Sequence, residues 1–438
     1  MSLMNKRRRD KRGKLNRGNK RLYGRLAVVC VEMFVLVVIT GIGLLFFLDE
    51  KKEQESKEIQ QAAVVEELLI DAEKTAQGLD GGLEDEMAET ESVEDTSRYG
   101  KELADVEYCM QNRIYTKEAA SEEEIVLAFA GDVSFAEGYA IMAALAQRGD
   151  RIEECFDSAL FREMHDADIF MINNEFPYTD RGTPLAEKTF TFRAKPDSVK
   201  YLNDMGVDIV SVANNHVYDY GEVSLLDTLS TLEGAKMPYV GAGCDIEEAV
   251  KPVYFVINDI KIAYISATQI EQGDFPDTVG AGENSAGVFR CWNEERIYDV
   301  VREAKEQSDF VITYIHWGTE LSETLHWAQS DQAVKLADAG ADLIVGDHPH
   351  CLQEITYIGD TPVVYSMGNF WFNSKTQDTG LLKVVLDENG LNSMQFVPAI
   401  QSGCRTSIAP AGEKERILAY LRTLSPNVHI DADGYIQK

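Results

Sequence analysis

The sequence predicts an α/β domain whose functional groups gather at the carboxyl ends of its strands. Two observations carry this expectation. Short apolar runs alternate with stretches of helical periodicity from about residue 125 onward. Four of those runs end in polar, metal-capable side chains. They are Phe129-Ala130-Gly131-Asp132, Ser211-Val212-Ala213-Asn214-Asn215-His216, Val311-Ile312-Thr313-Tyr314-Ile315-His316, and Leu343-Ile344-Val345 followed by Gly346-Asp347-His348-Pro349-His350. In α/β sheets ligands bind outside the carboxyl ends of the strands, so these ends are expected to converge on one metal site.

The elements follow in order. Ile125–Ala130 is a strand delivering Gly131-Asp132, and helical periodicity runs from Tyr139 to Gln147. Asp168–Ile172 is a strand ending at Asn173-Asn174-Glu175, and Phe190–Arg193 reads as a short edge strand. A helix from Asp197 to Met205 leads into the strand Val207–Ala213, and Glu222–Glu233 is helical. Strands Val253–Ile257 and Ile260–Ala267 flank Asn258-Asp259, a turn-prone pair. Then come helix Glu294–Gln307, strand Phe310–His316, helix Trp327–Ala339 and strand Leu343–Gly346. Late strands around Val363–Ser366 and Leu381–Leu386 suggest a mixed sheet or a second sheet.

Three segments precede this domain. Residues 1–25 form a basic arm with eleven Lys or Arg and one Asp. Leu26–Leu48 is almost unbroken apolar sequence, long enough to span a bilayer, with no cleavage signal after it. It is expected to be a transmembrane signal anchor, with the arm in the cytoplasm and the rest of the chain outside the cell membrane. Residues 49–124 read as an acidic stalk, partly disordered, with a weak amphipathic helix over Ile59–Lys74. The formal charge of the 438-residue chain is −32, and the basic arm makes the remainder more acidic still. Such a body excludes nucleic acid as a partner. An anionic substrate would need a local positive feature, which bound metal ions provide. Seven cysteines without a CxxC give neither a zinc ribbon nor a redox motif.

Four of the seven histidines lie at or just beyond strand ends, beside Asp132, Glu175 and Asn215. Two imidazoles two residues apart, His348 and His350, can share one metal or serve one each of a pair, and Pro349 stiffens the link. A dinuclear hydrolytic site takes carboxylate and imidazole ligands from several strands. Asp132 and Glu175 supply the anions, His316, His348 and His350 supply nitrogen, and Asn215 an amide oxygen. His216 is then free to protonate a leaving group. Mixed oxygen and nitrogen ligation suits one or two divalent ions of manganese, iron or zinc.

Six segments stand in a fixed order. They are Gly131-Asp132-Val133, Asn173-Asn174-Glu175, Ala213-Asn214-Asn215-His216-Val217-Tyr218-Asp219-Tyr220-Gly221, His316-Trp317-Gly318-Thr319-Glu320, Gly346-Asp347-His348-Pro349-His350-Cys351-Leu352-Gln353 and Tyr365-Ser366-Met367-Gly368-Asn369-Phe370. From Ile125 to Phe372 the chain thereby resembles the bacterial capsule-synthesis family of CapA, the poly-γ-glutamate capsule protein. That family is similar to calcineurin-like metallophosphoesterases. The resemblance implies a four-layer αββα metallophosphoesterase-like sandwich over residues 125–438. It implies an outward-facing, membrane-anchored protein that makes or exports an anionic capsule polymer, with other capsule synthase subunits as further partners.

Carried over by position, Asp132 is the first metal-binding aspartate and Glu175 the bridging carboxylate. Asn215 and His216 resemble the ligand-then-acid pair, and His316, His348 and His350 the later ligands. The usual first motif is Asp-x-His, and here Ser134 stands in the histidine's place, so one metal loses an imidazole. Asn214, Asp219, Trp317, Glu320, Gln353 and Asn369 are expected to support the site or line it. Arg193 is a candidate contact for an anionic substrate, with a surface ion pair as the alternative. Cys351 beside His350 offers a Cys–His nucleophile, against which its expected burial speaks. The leading expectation is a metal-dependent hydrolase of phosphoester or amide bonds. The alternatives are a non-catalytic, metal-containing polymer-binding or export subunit, and a structural metal site in an unrelated surface protein.

Overall fold

The computed structural model describes residues 97–438 apart from 187, 271–277 and 293–294. The basic arm, the expected transmembrane span, the helix over 59–74 and the stalk as far as residue 96 lie outside the described residues. Among the described residues no helix is long and apolar enough to cross a membrane.

Two sheets face each other, with strands numbered along the chain; β6 (Ala242–Gly243) and β9 (Gly287–Val288) pair with each other outside both. The seven-stranded sheet runs in the order β1 (Ile114–Thr116), β7 (Val253–Ile257), β8 (Ile260–Thr268), β10 (Phe310–His316), β11 (Leu343–Asp347), β13 (Thr361–Val364) and β12 (Ile355–Ile358). The eight-stranded sheet runs β17 (Arg405–Ile408), β16 (Gly390–Ser402), β15 (Gln377–Asp387), β2 (Ile125–Val133), β3 (Ile169–Asn174), β4 (Ile209–Ser211) and β5 (Tyr239–Val240), with β14 (Asn369–Trp371) also paired to β2. Within them β2, β3, β4 and β5 are parallel, as are β8, β10 and β11. All these strands therefore present their carboxyl ends in a common direction within each sheet.

Successive residues of a strand point to opposite faces. In β2 and β3, Leu127, Phe129, Ile169 and Met171 turn inward to meet Tyr264, Ile312, Tyr314 and Val345 of the other sheet. Ala128, Ala130, Phe170 and Ile172 turn outward, beneath helices Ala140–Gln147, Ser158–His165 and Glu222–Gly234. On the far side Ala263, Ile265, Val311, Ile315 and Ile344 pack under helices Arg296–Gln307 and Trp327–Ala339. Three cores thus separate the layers of a mixed α/β sandwich. Burial on both faces explains why the strands read as continuous apolar runs rather than alternating ones.

The domain begins earlier than residue 125. Helices Gly100–Leu103 and Val106–Gln111 pack ahead of β1, which pairs in parallel with β7. Tyr99, Leu103 and Cys109 lie against the outer core, and Ile114 is part of it. The buried Lys261 amine donates to Glu102 at 2.6 Å and lies over the rings of Tyr99 and Tyr254. Residues 97–124, expected in the stalk, therefore belong to the folded domain. Their acidic composition hides a sparse apolar stripe, and one of their acids is the counter-charge of a core lysine.

Phe190–Arg193 is not a strand but part of a loop. Phe192 N donates to Asp219 Oδ2 at 2.6 Å, and its ring lies 4.2 Å from that of His216. Phe192 serves this docking rather than a sheet edge, while Phe190 stays exposed. The Asn258-Asp259 turn between β7 and β8 forms as expected, both residues having positive φ (48° and 60°), the conformation of a two-residue hairpin turn.

Candidate metal centre

The carboxyl ends of β2, β3 and β4 meet those of β10 and β11 across the gap between the sheets. β2 delivers Asp132, and Gly131 beside it lies so close to the 366–368 turn that a Cβ would sit 2.0 Å from Gly368 O. Just past β3 comes Glu175, and past β4 come Asn214, Asn215 and His216. From the other sheet β10 ends on His316 and β11 on Asp347, followed by His348 and His350. Both of these histidines hold positive φ, 92° and 56°. Left-handed backbone at a non-glycine residue is strained and persists where the surroundings over-determine it. Here it turns two imidazoles back into one site.

All of the expected ligands come together. Glu175 is fully buried, and its Oε1 has no hydrogen-bond partner. Around that oxygen stand three imidazole nitrogens: His216 Nε2 at 3.8 Å, His316 Nε2 at 3.9 Å and His350 Nε2 at 4.0 Å. Each is too far for a hydrogen bond. His350 Nδ1 contacts Asp132 Oδ2 at 2.8 Å, and His316 Nε2 lies 2.8 Å from Asn215 Oδ1 and 3.1 Å from His348 Nδ1. Three groups of side chains stand close enough to hold an ion: Glu175, His316 and His348; Asp132, Glu175 and His350; and Asp132, His316 and Asp347, of which the first two share Glu175.

The electrostatics of this cluster are strained. Burial, and then the charges of Asp132 and Asp347, push the Glu175 carboxyl well above the usual carboxylate range. Burial beside Asp132 raises Asp347 in the same way. Burial would also raise Asp132, but the hydrogen bond and charge of His350 hold it low. Burial and then His348 push His316 well down, and burial with His350 lowers His348 to about 3. His350 goes the other way, raised against its burial by the hydrogen bond and charge of Asp132. Two neutral imidazoles, His316 and His348, beside two crowded buried carboxyls, each with an orphaned oxygen (Glu175 Oε1 and Asp347 Oδ2), fit a divalent cation: positive charge is what these carboxyls lack, and lone pairs are what these imidazoles offer. An ion near Glu175 Oε1 would be held by Glu175, His316, His348 and Asn215, and a second by Asp132, Glu175 and His350.

The supporting residues divide. Asn214 Oδ1 accepts from the His216 and Val217 amides, and its Nδ2 donates to Asn173 Oδ1 at 2.9 Å, which fixes the turn carrying His216. Asp219 Oδ2 accepts from His216 Nδ1 at 2.7 Å, leaving Nε2 facing Glu175. Asn369 pairs in register with Asp132 and donates to Gln377, which in turn donates to the His350 carbonyl. Gln353 links Gln329 to the Ser322 carbonyl and so ties two loops without touching the cluster. Trp317 does not line the site; it is buried in the outer core, stacked on Tyr365. Glu320 is exposed and reaches Glu175 and His350 only through its charge. Arg193 stacks on the Tyr220 ring at 4.7 Å. Burial pushes the Cys351 thiol up to about 11, so it is no thiolate at neutral pH.

Three participants were not singled out in the sequence. Asn173 Nδ2 donates to Asp132 Oδ1 and Glu175 Oε2, holding both carboxylates. The Lys188 amine donates to Asp219 Oδ1 at 2.7 Å and to the Asn215 carbonyl. Asp347 contacts His316 Nδ1 at 2.8 Å. Asn173 and Asp347 stood inside motifs already recognised, beside the residues chosen; Lys188 carried no local signal.

A family model described as bacterial capsule synthesis protein PGA_cap matches residues 126–374, more than half of the chain. The chain is 31% identical to the PGA biosynthesis protein CapA of Bacillus subtilis (strain 168) over 283 residues, covering 64% of this chain and 72% of that one. It is 31% identical to the capsule biosynthesis protein CapA of Bacillus anthracis over 244 residues, covering 54% of this chain and 58% of the relative. Among solved structures a hypothetical protein from Thermus thermophilus aligns over its whole length and 63% of this chain, at 13% identity and a TM-score of 0.40, a likeness too loose to carry an argument. The matched span begins at the second residue of β2 and runs past β14, so it takes in both halves of the cluster, and the chain belongs to the bacterial capsule synthesis protein PGA_cap family.

Proposed function

We propose that this chain is a single-pass, membrane-anchored protein of capsule biosynthesis, with its basic arm in the cytoplasm and its folded domain outside. There a metallophosphoesterase-like αββα sandwich acts as a metal-dependent hydrolase on an anionic polymer of the poly-γ-glutamate kind or on a phosphoester intermediate of its assembly. Support for the topology comes from the basic arm and the apolar run after it. Support for the process comes from family membership and from relatives named for capsule and PGA biosynthesis.

The observation that carries the chemistry is Glu175 Oε1, buried, unpartnered and ringed by three imidazole nitrogens at 3.8–4.0 Å. Divalent ions, when bound, supply Lewis acidity and water activation near neutral pH. Glu175 bridges the two ligand groups. His216 is held at Nδ1 by Asp219, so its Nε2 is the atom that holds and delivers a proton to the leaving group. Phe192 covers the ring and restricts its motion. Lys188 holds Asp219 from the other side.

The full chain, metal-loaded, should hydrolyse a chromogenic phosphodiester or poly-γ-glutamate, and His216→Ala should remove at least 100-fold of that rate, on the order of a general acid's contribution. Bound metal without turnover, but with polymer retained on the protein, would replace this reading with the second one. On that reading the protein is a metal-containing polymer-binding or export subunit of a membrane synthase. Ser134 favours it, because a hydroxyl stands where one ion would find another imidazole.

A further inference from the structure

Resting on the metal reading above, we propose that Asp347 is a positioning residue: its carboxylate fixes the His316 imidazole in the orientation and tautomer that turn Nε2 toward the ion. His316 and Asp347 are direct partners in the parallel register of β10 and β11. Paired residues of neighbouring strands project to the same face, so the contact is built into the sheet rather than into a loop. His316 Nδ1 lies 2.8 Å from Asp347 Oδ1, and both side chains are fully buried, with no solvent to compete. An ionised carboxyl has only acceptors to offer, so in that state the contact at 2.8 Å can be made only by a proton on the imidazole. The proton of this contact then sits on Nδ1, and the lone pair is left at Nε2. That nitrogen is the one facing Asn215 Oδ1, His348 Nδ1 and Glu175 Oε1.

A competitor on the same nitrogen makes this role specific. Asn173 Nδ2 lies 3.4 Å from His316 Nδ1. The orientation of that amide is set by its neighbours, since Nδ2 donates to Asp132 Oδ1 and Oδ1 accepts from Asn214. A donor at Nδ1 favours the opposite tautomer, which would place an N–H where the ion needs a lone pair. Asp347, closer by more than half an ångström, decides the contest. The competing arrangement is Asp347 as a ligand grouped with Asp132 and His316, its buried Oδ2 being without a partner. There it would share an ion with His316 through Nδ1, the nitrogen it contacts, and not through the Nε2 that faces Glu175 and His348. The ion that Glu175 holds is served through Nε2, so the geometry gives Asp347 the supporting place.

The test uses the full chain with Mn²⁺ and Zn²⁺ alone as probes, in isothermal titration of the parent, Asp347→Ala and Asp347→Asn. Melting in chelator reports whether each variant folds. Asp347→Ala should weaken binding at the Glu175–His316–His348 position by about 10–100-fold, the usual effect of removing such a support. Asp347→Asn keeps an acceptor for Nδ1–H and should lose less. In Co²⁺-loaded protein the visible bands should shift in both variants, which a role confined to folding would not produce. If Asp347→Ala does not fold, the nearly isosteric Asn variant decides by the same two readouts. Parent-like affinity and unchanged Co²⁺ bands in a folded variant would overturn the assignment. Loss of one whole ion with the other unaffected would make Asp347 a ligand and overturn it as well. A parent chain that binds neither metal would instead overturn the metal reading beneath it.

Discussion

The two ends of the strands use the same residue types to opposite effect. At the amino ends, Asp168, Asp208, Asp309 and Asp342 each stand just before a strand, and each carboxylate accepts an N–H from the strand beside it. The donors are Val126 at 2.7 Å, Phe170 at 2.9 Å, Lys261 at 2.8 Å and Val311 at 2.8 Å. Their remaining lone pairs are taken as well: Asp168 by the Ala120 amide, Asp208 by Lys117, Asp309 by Arg98 and Tyr99, and Asp342 by Lys305. At the carboxyl ends, Asp132, Glu175 and Asp347 are buried more deeply, and their neighbours are imidazoles and amides. In a chain of charge −32 an acidic residue is no signal by itself. What separates a structural carboxylate from a functional one is whether its surroundings already supply the donors and cations it needs.

Metal should therefore move one end and not the other. Chelation is expected to lower the stability of the full chain, and free Mn²⁺ or Zn²⁺ at about a thousand times its dissociation constant should restore about 4 kcal/mol by mass action. The increment should be unchanged in a variant of the amino ends, such as Asp342→Asn. Thermal melts with and without metal check this, and an equal response in a chain lacking Glu175 would break the comparison.

Glu102→Gln tests the amino end. Lys261 has 3% of its surface exposed, and Glu102 is the carboxylate on its amine. Removing one partner of a buried pair leaves a charge without compensation, so the loss should be about 3 kcal/mol, the same with metal or without. Denaturant melts measure it. The same contact predicts that a fragment starting at residue 121 is markedly less stable than one starting at residue 97, since it loses Glu102 and β1 together. Equal midpoints for the two fragments would return residues 97–120 to the stalk.

How much of this was visible in the sequence follows from what a linear reading can see. The strands were legible because burial on both faces makes them apolar runs, and the site because its ligands end those runs. Asp347 and Asn173 were passed over because their roles depend on the residue across the strand pair, His316 for one and Asp132 for the other. Register is a property of the sheet, not of either segment. Lys188 acts across 31 residues on Asp219, and Glu102 across 159 on Lys261, so neither has a local mark. Phe190–Arg193 has the alternation of a strand, but only Phe192 is buried, docked on His216, and Phe190 is exposed, so the alternation marks no sheet edge. The amino-end aspartates do share a mark in hindsight. Asp168-Ile169, Asp208-Ile209, Asp309-Phe310 and Asp342-Leu343 each put an acid directly before a large apolar residue at a strand start.

The smallest expected effect is the most discriminating, because its sign reverses between the two ends. Replacing Asp342 by Asn removes a carboxylate that accepts from Lys305 and Val311, and should destabilise the protein. Replacing Glu175 by Gln removes a buried carboxyl that has no cation, and with it the cost of either ionising or protonating it there, and should stabilise the metal-free protein by about 1 kcal/mol while abolishing its response to metal. The pH dependence gives the same sign. Burial, then Asp132 and Asp347, raise the folded-state pKa of Glu175 well above its unfolded value. The folded metal-free chain thus holds this proton longer than the unfolded chain does. Stability from this group is present below the unfolded value, near pH 4, and is lost as pH climbs toward the raised folded-state value. Glu175→Gln should flatten that decline in chelator, whereas Asp342→Asn should leave it as steep as in the parent. A Glu175→Gln chain that melts lower than the parent at pH 7 without metal would mean that Glu175 is already satisfied, and the two ends would no longer differ in kind.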